Sequence, residues 1–126
     1  MSRFEDLSEY VYSTKFGRGI VNVGWLDLNR PFSRGEVDSE ILARLGDLCK
    51  NPVNRMRGWH ACGMCPDYPV RERIGTQLVT LGDAEIHIPG RSKVYACPTL
   101  IYHYIARHNY NPPAEFLEAV RDSQNK

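Results

Sequence analysis

No stretch of this 126-residue chain is apolar enough to cross a membrane, which takes about 20 consecutive residues. Met1-Ser2-Arg3-Phe4-Glu5-Asp6 lacks the apolar segment that follows a basic start in a secretory signal. A chain that starts natively at Met1 is therefore expected in the cytoplasm, with no membrane partner. Charge of one sign is also missing. Sixteen Lys and Arg face fifteen Asp and Glu, for a net +1, so the broad basic field of a dedicated nucleic-acid binder is absent. There is no internal repeat, low-complexity tract or long charge block. The familiar catalytic signatures are absent too. There is no His-Glu-x-x-His, no Gly-x-Ser-x-Gly elbow and no phosphate-cradling glycine loop. The His-x-Glu and Pro-Cys-x-x-Cys pattern of zinc deaminases is not met, because His60 is followed by Ala61 and Cys62.

What is present is enough apolar residue, 42% of the chain, for one ordinary core, so residues 1–126 are expected to form one domain. Ser2 and Glu5 have capping-box spacing, and a turn of helix is expected there. Gly19 to Leu26 reads as a strand. Asp38 or Ser39 caps a helix to about Cys49, in which Ile41, Leu42, Leu45 and Leu48 recur at helical spacing. Met56 to His60 reads as a short strand, and residues 66–75, with Pro66, Pro69 and Gly75, as loop.

Gln77–Leu81 and Asp83–Ile88 read as strands. In the second, Ala84, Ile86 and Ile88 are expected inward, and Glu85 and His87 outward on a solvated face. Lys93–Ala96 returns as a hairpin partner after Pro89-Gly90. Pro98 fits the first position of a helix to about His108, and another helix follows Asn111-Pro112-Pro113. The expected fold is α+β, a small antiparallel sheet packed against two or three helices, with a zinc-tied loop.

The four cysteines and four histidines carry the chemistry. Reduced thiols in the cytosol favour metal binding or burial over disulfides. Cys62 and Cys65 form a Cys-x-x-Cys pair beside Gly63 and Pro66, and His103 and His108 a His-x4-His pair on a helix. Together these four match a two-Cys, two-His zinc site. The 37 residues between the pairs, 66 to 102, far exceed a zinc finger's spacing. The ion would therefore tie a loop to a distant helix. Positions five apart on an ideal helix differ by about 140°, so His103 and His108 meet one ion only if the last turn departs from ideality. His60 and Cys97 are alternate ligands. The competing reading makes the cysteines and histidines ordinary core residues, as Cys49 and Cys97 are taken to be. Tyr102, Tyr104 and Tyr110 read as packing residues.

The run Tyr95-Ala96-Cys97-Pro98-Thr99-Leu100-Ile101-Tyr102-His103-Tyr104-Ile105, then His108-Asn109-Tyr110-Asn111-Pro112-Pro113 and Phe116, resembles a group of small uncharacterised bacterial proteins. Those pair an upstream Cys-x-x-Cys with a His-Tyr-[Ile/Val]-x-x-His element followed by Pro and Phe. The likeness covers residues 58–120, and more loosely Asp6-Leu7-Ser8 and Asn22 to Leu26. It implies a shared metal-dependent fold through Cys62, Cys65, His103 and His108, and it brings no activity.

The function expected from these features is a structural zinc in a protein-interaction module of immunity or adaptor type, whose partner is another protein. One alternative is a zinc-dependent hydrolase with three protein ligands and Glu85 or His87 as acid–base group. Another is a nucleic-acid-binding zinc protein using Arg55, Arg57 and Trp59, with Arg71 and Arg73 near in sequence.

Overall fold

In a computed structural model, residues 6–8, 19–26, 31–55, 57–66, 68–91 and 93–123 are described. The turn expected at Ser2–Glu5 lies outside them, as does Met56.

The strands are β1 (Gly19–Asn22), β2 (Val70–Ile74), β3 (Gln77–Leu81), β4 (Glu85–Pro89) and β5 (Lys93–Pro98). The helices are α1 (Ser39–Cys49), α2 (Ile101–His108) and α3 (Ala114–Ser123). The class is α+β, as the sequence implies. The strands form two sheets, one ordered β1-β5-β4 and one the β2–β3 hairpin. β4 and β5 pair antiparallel, with His87 opposite Ala96, whereas β1 runs parallel to β5, with Asn22 opposite Ala96. The larger sheet is thus mixed, because β1 and β5 are joined through most of the chain and not by a tight turn.

That sheet has two buried faces. Tyr95, Cys97, Ile86 and Ile88 join Leu45, Leu100, Ile101, Tyr104 and Phe116 in the main core. Ile20, Val94 and Ala96 make a second cluster, which shares its side of the sheet with Glu85 and His87 by strand alternation. The expectation that Glu85 and His87 face solvent is therefore corrected. Glu85 is 8% exposed, and its Oε1 lies 2.8 Å from His87 Nε2.

Asp38 caps α1, its carboxylate accepting from the Glu40 N–H at 2.9 Å. α1 buries Ile41, Leu45, Gly46 and Cys49. A Cβ at Gly46 would stand 2.7 Å from Ile74 Cγ2 and 3.1 Å from Tyr102 Cε2, so glycine lets α1 press against both the hairpin and α2.

Three stretches differ from their sequence reading. Residues 70–74, expected as loop, form β2, with Val70, Glu72 and Ile74 buried and Arg71 and Arg73 exposed. The described residues between 57 and 60 form no strand; instead Val53 makes an isolated bridge to Glu85. Pro98 closes β5 and does not open a helix; α2 starts at Ile101, after a turn at Thr99 and Leu100.

Candidate metal centre

Three pieces of chain build the site. The first is the turn that carries Cys62 and Cys65, closed by the Cys65 N–H donating to Cys62 O at 3.5 Å. It is moored upstream by the His60 N–H donating to Gly82 O at 2.9 Å, just beyond the end of β3. Gly82 has φ +105°, and a Cβ there would stand 2.7 Å from His60 O. Glycine is needed both for that conformation and for the close approach.

The second piece is α2, which carries His103 in its middle and His108 at its end. Asn109 is left-handed, φ 59°, and its N–H reaches back five residues to Tyr104 O instead of the regular four. The Tyr110 N–H donates to the same carbonyl at 3.2 Å. The helix thus ends in a widened turn, the departure from ideality that an i, i+5 pair of ligands requires. Residues 33–35 brace this end. The Gly35 N–H donates to Asn109 O at 3.0 Å and the Asn111 N–H to Ser33 O at 2.9 Å, while Arg34 donates to His108 O at 3.2 Å.

The third piece is β2, whose buried Glu72 points at α2. Its Oε2 lies 2.7 Å from His103 Nδ1, and Arg107 donates to both carboxylate oxygens at 3.0–3.3 Å. Burial disfavours the charged Glu72, but the hydrogen bonds from Arg107 and His103 outweigh it and hold the carboxyl below its ordinary range. An ionised Glu72 accepts the Nδ1 proton of His103 and leaves Nε2 with a free lone pair.

The donor atoms converge. Cys62 Sγ lies 3.3 Å from His108 Nε2, Cys65 Sγ 3.3 Å from His103 Nε2, and the two Nε2 atoms 3.2 Å apart. All four ligand atoms lie within 4.8 Å of one another. Tetrahedral bonds of about 2.0 Å to nitrogen and 2.3 Å to sulfur place two nitrogens about 3.3 Å apart, and a nitrogen and a sulfur about 3.6 Å apart. The three sulfur–nitrogen and nitrogen–nitrogen spacings given above fall within a few tenths of an ångström of those values.

The electrostatics agree with the geometry. Burial, with the neighbouring Cys65 sulfur adding to it, pushes the Cys62 thiol up to about 11, so a bare pair of thiolates is unfavourable and a cation would relieve it. Burial, with the nearby His103 and Arg34 adding to it, lowers the pKa of His108 and favours the neutral imidazole that a metal ligand must be.

Among the described residues this is the one cluster with such convergence, and it contains neither His60 nor Cys97. Cys97 is fully buried and donates to Ile86 O at 3.6 Å, as Cys49 does to Thr99 O. Glu85 and His87 lie on the sheet face turned away from α2. Arg55 pairs with Asp83 at 2.7 Å, and Trp59 is exposed. Glu72 was missed by the sequence reading. Its signal is a lone acid at an inward position of the alternating run Val70-Arg71-Glu72-Arg73-Ile74.

The chain belongs to the family described as a domain of unknown function, DUF7919, whose sequence model matches residues 2–121. No curated protein and no solved structure matches it. No helix among the described residues is long and apolar enough to cross a membrane.

Proposed function

We propose that Cys62, Cys65, His103 and His108 hold one zinc ion, and that the ion is structural in a small binding domain. The observation that carries this reading is the approach of two sulfurs and two Nε2 atoms to tetrahedral spacing, with one imidazole already oriented by a carboxylate. Zinc is the ion favoured by two thiolates and two imidazoles in that geometry.

Four protein ligands close the coordination sphere, so no position is left for water or substrate, and the ion ties the loop to α2 and does no chemistry. A three-ligand hydrolase is less well supported. It would need an acid–base group at the ion, and the two candidates, Glu85 and His87, bond to each other on the far side of the sheet. The remaining carboxylate at the site, Glu72, is held by Arg107 and His103. A closed metal site without a free acid–base group among the described residues supports recognition of a partner over turnover of a substrate.

Elemental analysis of the purified protein tests the metal. One zinc per chain is expected, and cobalt substituted for it should give the absorption of a tetrahedral sulfur–nitrogen site. Metal absent at stoichiometry, even after reconstitution, overturns the assignment.

A further inference from the structure

The outer face of the β2–β3 hairpin is unlike the rest of the surface. Arg71 and Arg73 project from it, paired across the strands with Thr80 and Leu78. Along a strand they stand about 7 Å apart. Neither is paired with a carboxylate among the described residues, and the same holds for Arg57.

At the end of the hairpin where β2 begins and β3 finishes lie two exposed aromatic residues. Tyr68 is two residues before β2 and 60% exposed. Trp59 is 43% exposed and adjoins His60, which bonds to Gly82 just past β3. The Tyr68 hydroxyl donates to Trp59 O at 2.9 Å, which ties the two segments together. Leu78, 57% exposed, adds an apolar side chain nearer the turn.

Charge in this chain is segregated, which the overall +1 conceals. Residues 51–83 hold four arginines against Asp67, Glu72 and Asp83; Glu72 is buried against Arg107 and Asp83 pairs with Arg55, which leaves Arg57, Arg71 and Arg73. Apart from Asp83 and Glu85, other acids lie at Glu36, Asp38, Glu40 and Asp47 around α1, and at Glu115, Glu118 and Asp122 on α3.

We infer that this face binds single-stranded nucleic acid, with Trp59 and Tyr68 stacking on unpaired bases and Arg57, Arg71 and Arg73 meeting phosphates. Guanidiniums with no carboxylate partner among the described residues select an anionic partner, and exposed rings at the end of the same hairpin select one with flat, unstacked faces. An acidic peptide would satisfy the arginines and leave the rings idle. A duplex hides its base faces from both rings. The inference rests on the binding-domain reading above and gives it a partner.

The two tryptophans make the test intrinsic. Trp25 is buried, its Nε1 donating to Ala96 O at 3.0 Å, so quenching by a partner reports on Trp59. The metal-loaded protein is titrated with a short oligouridylate, the same length of duplex DNA, and poly-glutamate. Quenching by the oligouridylate is expected. Its affinity should fall roughly 20-fold between about 50 and 200 mM salt, as three phosphate contacts to a single strand imply.

Trp59→Ala, read by anisotropy of a labelled oligonucleotide, should weaken binding roughly tenfold or more. The double change Arg71→Glu, Arg73→Glu should remove most of the salt-sensitive part, leaving that of Arg57, with the melting temperature close to that of the unchanged chain. No binding at low salt overturns the proposal, and so does equal binding of poly-glutamate or duplex. Metal content is measured on each sample, so a chain that lacks zinc yet binds the oligonucleotide removes the metal reading and leaves this one standing.

Discussion

Glu72 holds His103: its Oε2 is 2.7 Å from the imidazole Nδ1, and Arg107 grips the same carboxylate from the other side. A strand residue thereby sets the tautomer and ring orientation of a helix residue 31 positions away. Glu72→Gln is expected to leave the chain folded and to weaken metal binding by about 10- to 100-fold. Competition against a chromophoric chelator measures this, and unchanged affinity would remove Glu72 from the site.

Cys62→Ser should release the ion and lower the melting temperature together, by about 10 °C if the lost coordination destabilises the fold by about 3 kcal/mol. Cys49→Ser and Cys97→Ser are the contrast. Each buries a hydroxyl in place of a core thiol and costs stability, but the zinc should stay. Metal loss from Cys97→Ser would bring that residue back among the ligands.

At Gly82, alanine is expected to disturb the centre from a distance. The added Cβ would meet His60 O at 2.7 Å in a backbone conformation that only glycine adopts freely. The turn carrying Cys62 must shift to make room. A loss of roughly 1–3 kcal/mol is expected, with faster transfer of zinc to a chelator. Heat denaturation and chelator kinetics read the two effects separately.

The acid side of the stability profile should depend on Glu115. Hydrogen bonds from the Tyr95 hydroxyl at 2.6 Å and from Lys93 hold its carboxyl below the ordinary value of 4.5. A carboxylate whose folded pKa is depressed contributes in full above that ordinary value and loses its contribution as the pH falls toward the folded one. Glu115→Gln should therefore lower stability modestly at neutral pH, where the contribution is fully present, and flatten its further loss below about pH 4.5. Denaturant midpoints across that range check it.

That Cys62, Cys65, His103 and His108 come together is legible from their spacing, with His60 and Cys97 left open as alternates, because thiol and imidazole pairs are rare and chemically specific. Helix α1 is equally legible, with Asp38 as its cap and the apolar repeat behind it. β2 escapes notice because its central inward residue is Glu72. A strand pattern is recognised by apolar side chains on its buried face, and here the charge needed to orient His103 breaks that pattern. Pro98 misleads for a different reason. Proline suits a helix start, but it also suits the last residue of a strand where no further ladder bond is required. The parallel pairing of β1 with β5 leaves no local trace, since its partners lie more than 70 residues apart.

One consequence of the ligand order concerns how the chain moves when the ion is lost. The hairpin is strung between the two halves of the centre, so an ion bound there would act on residues 66–102 as a crosslink does. Closing a span of that length disfavours the open chain by about 3 kcal/mol of entropy. Chelation should accordingly be felt first as faster amide exchange in the turn at 60–66 and in the Arg-bearing strand, ahead of any global melting. The metal would then control how firmly the outer face of the hairpin is held.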